Sequence, residues 1–152
     1  MQTSTAMLNE LRVDELLAAI GEQTPAPASG AATALTGALA AALAELAARY
    51  AGDGALAARA HQLAGELVEL GEEDAAAYSA YMEERNDVTR ARIVAVPEAI
   101  ASHADEVVSI ALRAGDKLRT AVAGDAEAAA ELGRVCARVA RGLAALNRSS
   151  TA

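Results

Sequence analysis

Apolar residues recur at helical spacing along almost the whole chain. Residues 14–20 carry apolar side chains on one face and acidic side chains at the start, which predicts a short amphipathic helix. Four longer helical segments follow, separated by glycine, proline, asparagine and aspartate. We place them at residues 31–50, about 55–85, 90–112 and 125–146. The pattern predicts an all-α protein of about five helices, arranged as an up-and-down bundle with one short N-terminal helix.

Prolines mark two departures from regular helix. Pro25 and Pro27 bias the residues before them towards extended backbone, so we expect a loop before Gly30. Ser29 is a favourable N-cap for the helix that follows this loop. Pro97 lies inside the fourth helical segment, where we expect it to kink or restart the helix.

The length of 152 residues suits one domain, and we find no internal repeat and no low-complexity linker. We therefore expect a single helical domain over residues 1–152. Residues 1–10 and 148–152 are expected to fray, because chain ends are poorly ordered unless they are tied down. Asp125 is expected to cap the last helix.

Alanine dominates the composition: 43 of the 152 residues are alanine, and only 2% are aromatic. This composition argues against a β-sandwich or barrel and favours closely packed helices. Residues 31–48 are apolar on nearly every face but include Glu45, so we expect a buried core helix and not a membrane span. Because alanine supplies little apolar area, we expect a homodimer or higher homo-oligomer, joined through this helix or the next one.

Charge and cysteine content exclude several classes of partner. The net charge is −8 and there is no basic stripe, so we expect no nucleic acid partner. Cys136 is the single cysteine, expected to be a small buried side chain. The two histidines are far apart in the sequence, which argues against a metal site. The first ten residues lack the features of a signal peptide, so we expect a cytoplasmic protein that contacts no membrane.

A few polar residues stand out as chemistry candidates. Asp74 and Tyr78 are four residues apart and share one face of the third helix, where an acid and a phenol could transfer protons. The alternative is a solvated acidic patch beside tyrosines that fill an interface. His103, near Asp105 and Glu106, is a weaker acid–base candidate.

The first third of the chain carries a more specific signal. A short helix, the loop Pro25-Ala26-Pro27-Ala28-Ser29-Gly30 and an alanine-rich helix follow one another there. This arrangement resembles the cyclodeaminase/cyclohydrolase family, which comprises the C-terminal domain of formiminotransferase-cyclodeaminase and stand-alone methenyltetrahydrofolate cyclohydrolase-like proteins. Later matches come in the family's order; they are the stretch from Asp74 to Tyr78, Val96-Pro97, and Gly124-Asp125 before a helix that ends at Asn147.

The resemblance implies a cyclodeaminase-type bundle and an enzyme, a lyase or a hydrolase, acting on an amidine or iminium carbon–nitrogen centre. It implies a tetrahydrofolate derivative as substrate, with no metal and no tightly bound cofactor. The residue pattern and the resemblance together give Asp74, Tyr78, Asp125 and His103 as the catalytic candidates. They give Pro27, Ala28, Ser29, Gly30, Tyr81 and Arg85 as the candidates for substrate binding.

Two alternatives stay open. The family has three glycines where this chain has Ala28-Ser29-Gly30, so the substrate is either a folate one-carbon unit or a small amine or imine of a biosynthetic pathway. A protein of another class, a non-catalytic dimeric helical module that binds a ligand or partner, would also fit the composition. An enzyme should bring Asp74, Tyr78 or Asp125 together with the Ser29 loop around a cavity, whereas an interaction module should scatter them.

Overall fold

The computed structural model describes residues 6–119 and 121–150. Within these ranges the chain forms one short 3-10 helix, Leu8–Glu10, and five α-helices, with no strand. The α-helices are α1 (Val13–Gly21), α2 (Ser29–Tyr50), α3 (Gly54–Glu83), α4 (Asp87–Gly115) and α5 (Val122–Ser149). The all-α class predicted from the hydrophobic pattern is therefore confirmed.

The four long helices form one bundle. α2 packs between α3 and α5, and α4 closes the other side against the same two helices. Short connections join consecutive helices, as expected for an up-and-down arrangement. α1 has no buried residue, and its apolar side chains line an open groove beside α2 and α3.

Alanine fills the interior of the bundle. The inner face of α2 is built from alanine and glycine, and α3 adds the fully buried Leu63 and Leu67. Small side chains let the helix axes approach closely, so the core is dense although it holds few large residues. The leucines of α2 lie on the opposite face, where Leu39 is 67% and Leu46 is 38% exposed. The expectation that α2 is a core helix buried on several sides is therefore confirmed, and one face remains exposed.

By length and composition α2 is the one helix in the described ranges that could cross a membrane, and 56% of its most apolar window is buried. It contacts α3, α4 and α5, as a core helix does. Its Glu45 accepts a hydrogen bond from Arg49 and lies 3.1 Å from His61 Nδ1. Cys136 of α5 is also buried, and its thiol donates to the carbonyl of Thr33. Burial raises the pKa of this thiol to about 11, as for an inert core cysteine.

Helix ends differ from the sequence expectations at several points. α2 begins at Ser29 itself, with Ala28 as the N-cap and no side-chain cap, so the prediction of Ser29 as N-cap is wrong. α5 begins at Val122, which places Asp125 within its first turn and not at the cap. Regular structure extends into both segments that the sequence predicts to fray. Leu8 is buried in the 3-10 helix, and α5 continues to Ser149; residues 1–5, 151 and 152 lie outside the described ranges.

α4 runs without interruption through Pro97, so the helix does not restart there. Proline has no amide proton, and the carbonyl four residues earlier, that of Ile93, therefore loses its helical donor. The side-chain amide of Asn147, from the last turns of α5, donates to this carbonyl over 2.6 Å. The bond joins α4 to α5 at one end of the bundle.

Candidate functional site

A cavity of about 370 Å³ opens at the end of the bundle where α2 begins and α5 ends. Three parts of the chain meet around it. The loop before α2 and the first turn of α2 form one wall, α3 forms a second, and α5 forms the third. The lining residues are Pro25, Ala26, Ala28, Ser29, Gly30, Asp74, Tyr78, Met82, Leu143 and Asn147.

Asp74 lies directly against the start of α2. A Cβ atom at Gly30 would overlap the carboxyl group of Asp74, so only glycine leaves room for this approach. Gly30 is itself buried, in the first turn of α2. The glycine that ends the loop therefore serves to bring a carboxyl group onto a helix N-terminus.

Burial changes the acid strength of Asp74. Removal from water raises its pKa to about 6, because a charged carboxylate loses solvation there. Its carboxyl group has no hydrogen-bond partner in the described ranges. Near neutral pH both the acid and the carboxylate are populated, which a proton-transfer group requires.

The other polar groups of the cavity surround this carboxyl. Tyr78 lies one turn further along α3 and packs its ring partly against the core. The first turn of α2 has no side-chain cap, so its amides present a partial positive charge. Among the described residues that line the cavity, none is basic. The site thus combines one titratable acid, one phenol, one amide side chain and a helix N-terminus.

Asp125, predicted to contact substrate, is not part of this cavity. It lies in the first turn of α5, whereas Asn147 of the cavity lies near the other end of the same helix. Their separation of 22 positions corresponds to about 33 Å along the helix axis. Within one chain, Asp125 therefore lies too far from Asp74 to line the same cavity.

His103 is also outside the cavity, because it belongs to an ion-pair network between α3 and α4. Its Nε2 lies 2.9 Å from Glu66, and its Nδ1 lies 2.8 Å from the carbonyl oxygen of Ala99. Glu66 is two turns before Asp74 on α3, about 12 Å along the axis. The same Glu66 also faces Arg59, whose guanidinium makes two hydrogen bonds to Glu106. His103 thus takes part in the pairing of α3 with α4, and its role as an acid–base group stays a prediction outside this cavity.

Three predicted substrate contacts lie close to the cavity without lining it. Tyr81 packs against the core, and the guanidinium of Arg85 lies over its ring, 5.4 Å from the centroid. Pro27 lies in the loop between lining residues, and the bond before it, Ala26–Pro27, is cis. The structure thus brings together Asp74, Tyr78, Ala28, Ser29 and Gly30, and leaves out Tyr81, Arg85 and Pro27.

Sequence reasoning missed Asn147 as a site residue. It lies one turn beyond Leu143, which also lines the cavity, so helical spacing alone would have paired them once either was placed. Met82, Pro25 and Ala26 are further lining residues that carry no chemical signal in the sequence. In the described ranges no group of three or more histidine, cysteine or acidic side chains is placed to hold a metal ion.

With the geometry in view, comparison with known families identifies the fold. The family model described as formiminotransferase-cyclodeaminase matches residues 12–151, nearly the whole chain. The chain belongs to the formiminotransferase-cyclodeaminase family. It is thus a cyclodeaminase-related domain of folate metabolism. A search of the curated proteins gave no match.

Proposed function

We propose that the cavity catalyses a carbon–nitrogen bond change at the one-carbon unit of a tetrahydrofolate derivative, with Asp74 as the proton-transfer group. Two reactions fit this description: ring closure of a formimino group with loss of ammonia, and hydrolytic opening of a methenyl bridge. Both pass through a tetrahedral carbon from which a nitrogen departs. The departing nitrogen must receive a proton, and a neighbouring carboxylic acid can supply it.

One observation carries the proposal: Asp74 and Tyr78 converge with the Ser29 loop around one cavity. This convergence separates an enzyme from a helical module whose polar residues are scattered. The raised pKa of Asp74, about 6, keeps part of the population protonated at neutral pH. When Asp74 is ionised, its negative charge stabilises a cationic amidine or iminium group bound nearby.

Family membership favours a folate over a small amine or imine as the substrate. The cavity is large enough for one ring system and open on one side, so a longer ligand would extend outwards. Ala28 and Ser29 are exposed at the rim and do not fill the cavity. The replacement of two family glycines therefore leaves room for a heterocycle beside Asp74.

The proposal is tested by ligand binding in a thermal-shift titration, followed by turnover. We expect tetrahydrofolate to stabilise the native protein, and acetamidinium, a simple amidine, to do so weakly. Gly30→Ala, whose new Cβ would displace Asp74, should abolish the shift. Gly65→Ala is the matched control, because a Cβ there meets nothing within 4 Å. Stabilisation by acetamidinium but not by tetrahydrofolate would favour the small substrate, and stabilisation by neither would refute the proposal.

We also propose that the chain acts as a homodimer joined through α2 and α5. Both helices expose aliphatic side chains on one face, while their inner faces are alanine and glycine. The exposed large residues on these two helices are Leu39, Leu46, Tyr50, Leu132, Val135, Val139 and Leu146. Since α2 and α5 are neighbours in the bundle, the two faces can meet a second copy together.

A further inference from the structure

The orientation of the Asn147 side chain is fixed by its partner. A carbonyl oxygen can only accept a hydrogen bond, so the group of Asn147 that faces the Ile93 carbonyl must be the amide nitrogen. The oxygen Oδ1 is then the free end of the side chain. It has no hydrogen-bond partner among residues 6–119 and 121–150, and Asn147 lines the cavity that holds Asp74.

Pro97 is what makes the Ile93 carbonyl available. In a helix without proline, this carbonyl would accept a hydrogen bond from the backbone amide four residues later, at position 97. Proline has no amide proton to donate. Ile93 and Pro97 are both buried, which limits the access of water to this carbonyl. Asn147 supplies the missing bond from the neighbouring helix, and its amide plane is thereby held in one orientation.

We propose that Asn147 is a specificity-determining residue, whose Oδ1 accepts a hydrogen bond from an N–H group of the ligand, and that Pro97 positions it through the Ile93 carbonyl. The inference rests on the proposed function for the place where the ligand binds. It adds the class of group recognised: a nitrogen that carries a proton, as in a pterin ring or an amidine. A ligand that places only acceptor atoms opposite Oδ1 would form no hydrogen bond with it, and its binding would be weaker.

The first test is ligand binding, with the free pterin 2-amino-4-hydroxypteridine as the probe. We expect Asn147→Leu, which removes the amide at similar volume, to weaken binding about tenfold, the scale of one hydrogen bond. Ser149→Ala is the control, because its hydroxyl bonds only within the end of α5. With a folate substrate, Asn147→Leu should raise KM about tenfold and leave kcat within about twofold, because the contact is present throughout the reaction.

The second test examines positioning in the protein without ligand. The side-chain NH₂ protons of Asn147 should exchange slowly with solvent in the NMR spectrum, because one of them is bonded to Ile93. Pro97→Ala supplies a backbone donor to the same carbonyl and should accelerate this exchange and weaken pterin binding. Unchanged exchange and unchanged binding in Pro97→Ala would overturn the positioning role, even if that variant is more stable.

The outcomes separate this inference from the proposed function. One outcome is that pterin binding depends on Asn147 but neither a formimino- nor a methenyltetrahydrofolate is turned over. This outcome would support the inference and refute the proposed function. Turnover with pterin binding equal in the native protein and Asn147→Leu would refute the inference alone. If the native protein binds none of the pterin, tetrahydrofolate and acetamidinium, both are wrong.

Discussion

At the scale of single residues, the cavity depends on how closely Asp74 approaches Gly30. The carboxyl group lies over a helix N-terminus, where partial positive charge favours its ionised form. Burial favours the neutral form, and this effect is the larger because the pKa rises to about 6. Folding therefore stabilises the protonated acid relative to the carboxylate.

The pH dependence of stability follows from that shift. A group whose pKa is raised on folding contributes stability that is present below its unfolded value, near 4, and lost as the pH rises through about 6. We expect Asp74→Asn, which cannot ionise, to raise the free energy of unfolding above pH 7 by about 1–2 kcal/mol, allowing for partial solvent exposure. Below pH 4 the two proteins should be equally stable. Urea denaturation at both pH values measures the difference, and Glu73→Gln, an exposed neighbour, should show none.

At the scale of helices, the sequence predicts where each helix lies along the chain better than it predicts which face of the helix is buried. All five helices lie where periodicity places them, within a few residues at each end. The inner face of α3 is predicted correctly too, because Leu56, Leu63 and Leu67 recur at helical spacing and all three are buried. α2 offers no such contrast: alanines and leucines are both apolar, and hydropathy cannot tell which face packs inward. Close packing resolves this in favour of alanine, a preference that depends on the neighbouring helices.

Two isolated motif matches are joined in the structure. Val96-Pro97 and the closing Asn147 are each weak as sequence signals, and they are 50 residues apart. The hydrogen bond from Asn147 to the Ile93 carbonyl connects them, because Asn147 supplies the donor that Pro97 lacks. The site could be predicted in part, namely Asp74, Tyr78 and the Ser29 loop. His103 and Asp125 lie outside this cavity, because sequence spacing does not reveal which end of a bundle a helical residue occupies.

The buried and exposed faces of α2 should respond differently to a larger side chain. Ala47 is fully buried, whereas Ala42 is exposed. We expect Ala47→Leu to overpack the core and lower the free energy of unfolding by about 1–3 kcal/mol. Ala42→Leu, on the exposed face of the same helix that the proposed dimer would cover, should change the stability of the dissociated chain by less than about 0.5 kcal/mol. Chemical denaturation measures both, and equal costs would mean that the faces are assigned wrongly.

At the scale of the whole molecule, aliphatic side chains are exposed on two neighbouring helices. On α2 these are Leu39 and Leu46, and on α5 they are Leu132, Val135, Val139 and Leu146. A standard interface buries about 800 Å² on each partner. An interface on the aliphatic faces of α2 and α5 would remove these side chains from water.

The oligomeric prediction is measured by sedimentation at micromolar concentration. We expect the native protein to sediment as a dimer, and Leu39→Glu/Leu46→Glu to sediment as a monomer with unchanged helix content by circular dichroism. Ala58→Glu places the same charge on an exposed position of α3 and should remain dimeric. A native protein that sediments as a stable monomer would contradict the proposed association.

The central claim is that Asp74 transfers a proton during a carbon–nitrogen bond change on a folate, and a pH–rate profile tests it most directly. With 5-formiminotetrahydrofolate or 5,10-methenyltetrahydrofolate as substrate, we expect kcat/KM of the native protein to fall as the pH rises through about 6, because the acid form is needed. Asp74→Asn should lower kcat/KM by about 100-fold or more and remove this limb, while Glu73→Gln leaves both unchanged. Absence of turnover of both substrates, or an Asp74→Asn profile identical to the native one, would contradict the claim.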